Sequence, residues 1–505
     1  MGFEAILRGI NGFVWGVPML TLLLGTGLFL TIGLAFMPQR KLGFAFSELF
    51  RKRSDLGEGE VSPFGALMTA LSSTVGTGNI GGVAAAIAIG GPGAVFWMWM
   101  TALVGMATKY SEGLLALRFR ELDANGNHVG GPMYYIKNGM GKGWIWLAVL
   151  FATFGIFASW GTGALVQANS IADGLNSAYG VSPWLTAAVI SAGAAAVILG
   201  GVKRIAGVAS KLVPFMAIAY IGAGLIIIGL NIGEVPTAFS RIFARAFGVD
   251  AAGTGISIGL LMLAMQKGVA RGIFSNEAGQ GSAPIAHAAA QNRDPVNQGT
   301  VAMLGTVIDT LIICTITALV ILTAGDAVIP DRCLPSSITL DTFRADGQPG
   351  GCDTAVPLTA SAFAHTISFN LFGIPLGEHI VSISLVIFAF TTILGWSYYG
   401  ERCAAFLFSE RAIMPFRFMW IVVVFFGASL IAFQDKISNV VNLVWVSADA
   451  LTGLMAAPNL VALVVLSPIV FKMTKEYFAA RRDGSVEDAL EAAQEASEEA
   501  TPIGQ

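Results

Sequence analysis

Leu71-Ser-Ser-Thr-Val-Gly-Thr-Gly-Asn-Ile80 places four hydroxyls, two glycines and an amide inside an apolar run that is otherwise long enough to cross a bilayer. Unwinding at Thr77 and Gly78 would expose main-chain N–H groups at the start of a half-helix, whose positive end suits a carboxylate. Across the break, the carbonyls of Ser72, Thr74 and Val75 would lose their helical donors and become hard oxygen ligands for a small cation. Asn79 offers a side-chain carbonyl at the same place. The plainer alternative is a glycine-rich packing face, but Thr-Gly-Asn is more polar than packing requires. Gly76-Thr-Gly-Asn-Ile-Gly81 also matches a dinucleotide fingerprint, which needs a preceding strand that a membrane-length apolar run does not supply.

A second interruption is expected at Gln266-Lys-Gly-Val-Ala-Arg-Gly-Ile-Phe274. Lys267, Arg271 and Glu277 are costly in a span and require partners or a wet cavity. Arg271 and Glu277 form either a structural or gating ion pair or contact substrate directly. Further along, Thr391 and Thr392 can add oxygen ligands to a cation held by the first break, unless both bond back to their own helix. Trp396 lies one turn from Thr392 and can wall off a small pocket. Gln167, a lone amide in an apolar helix, either contacts substrate or bridges helices.

These residues need membrane helices to position them. Of 505 residues, 55% are apolar and 12% charged, about half the roughly 25% usual in soluble domains. A net charge of −3 gives no reason to expect nucleic acid, and polar stretches are too short for a soluble catalytic domain. His128, His287, His365 and His379 are isolated, so no His/Cys cluster has metal-ligand spacing. Apolar runs fall near 11–37, 62–90, 93–118, 144–175, 183–200, 208–230, 253–286, 298–324, 376–400, 418–434 and 438–472. The last crosses once or, if Pro458 splits it, twice. Eleven spans, with the N-terminus outside and the C-terminus cytoplasmic, gather most Lys and Arg on the cytoplasmic side, as the positive-inside rule requires.

Setting the first span aside, ten remain in two sets of five, and an odd number per set inverts the second. The expected organisation is an N-terminal helix and basic loop over 1–61, a first repeat over 62–230 and an outer connection over 231–252. A second repeat follows over 253–475, carrying an outer loop at 325–375, with an acidic tail over 476–505. Cys333 and Cys352 in that loop are either a disulfide or two free thiols, and Cys314 and Cys403 read as packing residues.

Gly76-Thr-Gly-Asn79, Gly90-Gly-Pro-Gly93, Gly131-Pro-Met-Tyr-Tyr-Ile136, Arg271-Gly-Ile-Phe-Ser-Asn-Glu-Ala278, Gly281-Ser-Ala-Pro-Ile-Ala-His287 and the run from Phe390 to Glu401 together resemble the alanine/glycine:cation symporter family, also called sodium:alanine symporters. The resemblance implies an all-α, polytopic LeuT-type fold of two inverted five-helix repeats plus an N-terminal helix, each repeat opening with a discontinuous helix. It also implies uptake of L-alanine or glycine with sodium across a bacterial-type inner membrane. By similarity Thr77 and Gly78 take the substrate carboxylate, and Ser72, Val75, Thr391 and Thr392 form the sodium site. Asn79 lies near the amino acid or a second cation, while Gln167, Phe274 and Trp396 shape the pocket.

The expected function is therefore sodium-coupled symport of small neutral amino acids by alternating access, and not an enzyme. A proton-coupled permease and a non-transporting amino-acid sensor are the alternatives. The bilayer, the amino acid and sodium are the expected partners, and oligomeric state is open.

Overall fold

In a bilayer the main chain finds no water, so each apolar stretch must close its hydrogen bonds within itself, and here it does so as helix. The computed structural model describes residues 3–50, 57–249, 255–325 and 355–482. The helices are α1 (Phe3–Val14), α2 (Val17–Gly33), α3 (Met37–Arg40), α4 (Leu42–Phe50), α5 (Pro63–Thr74), α6 (Val83–Gly90) and α7 (Gly93–Arg118). They continue with α8 (Pro132–Tyr135), α9 (Ile145–Ala158), α10 (Val166–Tyr179), α11 (Pro183–Ile198), α12 (Gly201–Leu230) and α13 (Val235–Ala246). The second half holds α14 (Ile258–Asn276), α15 (Ala283–His287), α16 (Pro295–Thr306), α17 (Thr315–Thr323), α18 (Ala355–Thr366), α19 (Leu376–Phe408), α20 (Ile413–Ser429) and α21 (Gln434–Arg482).

Seven helices among the described residues are long and apolar enough to cross a bilayer. The other four expected crossings are the two interrupted helices, the short α11, and α7, which carries Lys109 and Glu112 inside its length. α21 runs unbroken through Pro458 and Pro468, so the last segment is not split at Pro458. Among the described residues four stretches are π-helical: Gly78–Gly82, Ile136–Met140, Ser159–Leu165 and Val307–Cys314. The result is a polytopic all-α fold of two inverted five-helix sets, each beginning with a discontinuous helix, preceded by the N-terminal helices.

The first discontinuity falls where the polar insertion predicts it. The helix stops at Thr74, Val75 takes an extended ψ of 95°, and helical structure resumes at Gly78. The second does not fall where expected. α14 passes through Gly268-Val-Ala-Arg-Gly272 without interruption and ends at Asn276. Those two glycines serve packing instead: a Cβ on Gly268 would lie 2.8 Å from Trp97 Cβ, and one on Gly272 3.2 Å from Met98 Cα, both on α7. The real break is Glu277 to Ser282, where Glu277, Gly279 and Gly281 have left-handed φ of 56°, 87° and 82°. Gly279 and Gly281 adopt such angles without a Cβ penalty, whereas Glu277 is strained.

Cys333, Cys352 and the acidic tail beyond 482 lie outside the described residues. Cys314 and Cys403 are buried free thiols.

Candidate functional site

The first break is held open by its own sequence. Gly76 N–H donates to Asn79 Oδ1 at 2.9 Å rather than to the carbonyl of Ser72, which thereby loses its helical donor. Thr77 and Gly78 head the π-helical turn, and the first N–H groups of a helix have no acceptor within it. Main-chain N–H groups and carbonyls without helical partners therefore lie within one turn of each other. The unwound point lies at Val75 and Gly76, just before Thr77.

Distant segments converge on this point. Thr392 Oγ1 donates to Val75 O at 3.4 Å and to Phe388 O at 3.0 Å. A Cβ placed on Gly76 would sit 2.6 Å from Thr392 Oγ1 and 3.5 Å from Gln167 Oε1. One placed on Gly78 would sit 3.6 Å from the Phe274 ring. Ser72, Val75, Thr77, Asn79, Gln167, Thr392 and Trp396 are all buried, and Phe274 is half-buried. Gln167 Nε2 donates to Thr162 O at 3.2 Å, while its Oε1 is buried without a partner, an acceptor left for something else. Gly76, Gly78, Gln167, Phe274 and Thr392 therefore meet.

Other expected residues are occupied or turned aside. Thr391 Oγ1 bonds back to Phe388 O at 2.9 Å and faces Met216 Sδ at 3.6 Å on α12, away from Val75. Ser72 Oγ bonds back to Thr69 O at 2.7 Å, which leaves its carbonyl as the group available to a cation. Asn79 is fully engaged: its Nδ2 donates to Asp309 Oδ1 at 2.7 Å. Trp396 Nε1 donates to Glu277 Oε1 at 3.0 Å, so the indole is pinned to the second break. Glu277 also accepts from Ser282 Oγ. Arg271 does not pair with Glu277; its guanidinium lies 5.7 Å over the Phe274 ring.

Two clusters escaped the sequence reading. Asp309, fully buried in the Val307–Cys314 π-helix, accepts from Asn79, from Ser275 Oγ at 2.8 Å and from Thr310 Oγ1 at 2.7 Å. It ties the first break to the last turn of α14. The second cluster holds the second break: Glu112 Oε1 accepts from Gly281 N at 3.1 Å and from Asn459 Nδ2 at 2.7 Å. Asn459 Nδ2 also reaches Gly279 O at 2.9 Å, and its Oδ1 accepts from Tyr135 OH. The available signal was a charge inside an apolar run: Asp309 within 298–324, and Lys109 with Glu112 within 93–118.

At one end of the bundle, Arg402 bridges Asp123 at 3.2 Å and Glu401 at 2.7 Å, and Arg417 reaches Glu401 at 2.6 Å. This staples the 119–131 loop to α19 and α20. Burial pushes the Asp123 carboxyl upward, but N–H donors of Asn127 and Asn125 and the Arg402 charge outweigh it and hold the group below the usual range.

Comparison with known proteins agrees along nearly the whole chain. A family model described as the sodium:alanine symporter family matches residues 1–491. The sodium/alanine symporter AgcS of Methanococcus maripaludis is 46% identical over 488 residues, covering 96% of this chain and 99% of that protein. An uncharacterized transporter of Haemophilus influenzae is also 46% identical, over 95% and 97% of the two chains. The probable sodium/glutamine symporter GlnT of Bacillus subtilis is 34% identical, over 95% and 92%. Among solved structures, MhsT in complex with L-phenylalanine aligns with 83% of this chain and 98% of that one, at TM-score 0.53 and 16% identity, a likeness of fold.

Proposed function

The chain belongs to the sodium:alanine symporter family, and from that premise we propose that it is a sodium-coupled importer of small neutral amino acids, L-alanine or glycine. One observation carries the reading: the interrupted main chain at Val75–Gly78 meets Thr392, Gln167 and Phe274 in a single buried place. In this reading the N–H groups of Thr77 and Gly78 receive the substrate carboxylate. The carbonyls of Ser72 and Val75 with the Thr392 hydroxyl receive sodium, and Thr391 joins them only after a side-chain rotation. Gln167 Oε1 is a buried acceptor suited to the substrate ammonium. The bulk of Phe274 and Trp396 favours a substrate with little or no side chain.

Asn79 acts here as a strut rather than a ligand, since both ends of its amide are bonded. Coupling follows from the same contacts. A cation bridging Val75 O and Thr392 ties α5 to α19, favouring the conformation that accepts substrate, and joint occupancy permits closure and inward opening. The N-terminus lies outside and the C-terminus in the cytoplasm.

Uptake of labelled alanine and glycine into proteoliposomes tests this directly. Accumulation is expected with an inward sodium gradient and not when choline replaces sodium at fixed pH. Accumulation that survives in choline but follows an imposed proton gradient would make the protein a proton-coupled permease. Saturable binding without accumulation would make it a sensor.

A further inference from the structure

Where α2 ends, the chain turns through Ala35 and Phe36, two consecutive non-glycine residues with left-handed φ of 51° and 58°. Beside this corner lies a cleft of about 700 Å³, with the end of α2, α3 and α4 on one side and the last turns of α21 on the other. Its chemistry is one-sided. Arg40, Lys41, Lys475, Arg481 and Arg482 line it, and among the described residues no carboxylate does.

Some of these cations are partly satisfied. Arg481 lies 4.5 Å over the Phe44 ring and 3.6 Å from Glu48 Oε1, and Lys41 lies 5.4 Å over Phe478. Even so, the lining keeps a surplus of positive charge, and Arg40, Lys41 and Lys475 are exposed. The wall of the cleft is apolar, with Leu34, Met37 and Phe471. Phe471 packs on Phe29 at 5.9 Å between ring centroids, and Phe29 and Ile32 on α2 and Phe36 in the following turn expose their side chains. The cleft therefore joins a cationic rim to a hydrocarbon-facing wall.

We propose that this cleft binds an anionic phospholipid, its phosphate on Arg40, Lys41 and Lys475 and an acyl chain along Phe29 and Phe471. Clustered Lys and Arg at the end of a spanning helix attract anionic headgroups. A volume of about 700 Å³ is far more than free phosphate needs, and the continuous apolar wall is wasted on a purely ionic ligand. The acidic stretch that follows Arg482 in the sequence is the competing occupant, but it offers little apolar surface to such a wall.

The test uses the full-length protein in detergent, with native mass spectrometry and thermal unfolding, and phosphatidylglycerol and phosphatidylcholine of identical chains as probes. Phosphatidylglycerol should be retained and should raise the unfolding temperature, while phosphatidylcholine should do neither. Combined Arg40→Gln, Lys41→Gln and Lys475→Gln should lower phosphatidylglycerol retention by roughly tenfold or more. Lys203→Gln with Arg204→Gln and Lys211→Gln, an equal loss of three charges elsewhere, should leave retention unchanged. Equal retention of both lipids, undiminished selectivity in the triple variant, or the same thermal shift from glycerol phosphate alone would each overturn the proposal. So would selectivity that emerges only after Glu487, Asp488, Glu491 and Glu495 are changed to Gln, since the tail would then be the resident.

Discussion

The two discontinuous helices solve one problem in opposite ways. In the first, the gap between α5 and the Gly78–Gly82 turn spans Val75 to Thr77, and Asn79, three residues on from Gly76, closes it with its own side chain. In the second, the gap runs from Glu277 to Ser282 and is tied outward, to α7 through Glu112, to α21 through Asn459 and to α19 through Trp396. A short gap stapled locally keeps its carbonyls and N–H groups aimed inward at one point. A longer gap anchored on three neighbours has its position set by all three. In the proposed reading the first holds the ligand, and the second links it to the neighbouring helices. Asp309, bonded to both Asn79 and Ser275, joins the two.

The harshest way to break this division is to remove that joint. Asp309→Ala removes the carboxylate that Asn79, Ser275 and Thr310 donate to; Asn79 retains the Asp309 main-chain O and Ser275 retains Cys314 Sγ, so the loss is about 1–3 kcal/mol, the cost of roughly one unmet buried group. Initial rates of labelled alanine uptake, normalised to protein in the membrane, should fall by roughly a hundredfold or more. Asp309→Asn, which keeps an acceptor, should fall less. Normal uptake in the alanine variant would separate the two gaps energetically.

Next in size is the cation side of the first gap. Thr391→Ala with Thr392→Ala should raise the sodium concentration for half-maximal uptake by roughly tenfold, the worth of about one charge-assisted hydrogen bond. Because only Thr392 reaches Val75, Thr392→Ala alone should reproduce most of that rise. An unchanged sodium dependence in the double variant would remove the cation from this gap.

Glu112→Gln sharpens the contrast from the other side. Shape and one acceptor survive, but a neutral acceptor holds Gly281 N–H and Asn459 less strongly. Maximal uptake rate should change by roughly threefold, equivalent to about 0.7 kcal/mol, while half-saturating sodium stays put. A shift in sodium dependence instead would assign ligand binding to the second gap as well.

The smallest effect lies in the 119–131 staple, away from both gaps. Asp123 is held below its usual titration range, so its contribution is present above the unfolded value near pH 4 and is lost as pH falls through the folded one. Thermal unfolding of the native protein should lose stability below about pH 4 more steeply than that of Asp123→Asn, by about 1 kcal/mol or less. Parallel pH profiles would reject the assignment.

Sequence made the first gap legible because its polar atoms sit inside an apolar run, where composition alone shows them. The same reasoning misplaced the second gap. Gly268 and Gly272 look like a break but allow α14 to approach α7, and a sequence does not show which neighbour a glycine faces. The true break depends on a left-handed Glu277, a torsion that composition does not encode. Thr391 and Thr392 were equivalent as letters, and helix rotation separated them. The Asn79–Asp309 bond spans 230 positions and emerges only when the two repeats interlock. The paired five-helix plan, by contrast, followed from counting apolar runs.

The π-helical stretch at Ser159–Leu165, which leads into the helix bearing Gln167, has a mechanical consequence. Each such turn stores one surplus residue relative to ordinary α geometry. Releasing that slack would swing everything beyond it by about 100° around the helix axis, one residue's arc. Gln167 could thus be dialled toward or away from Gly76 without a single turn being melted.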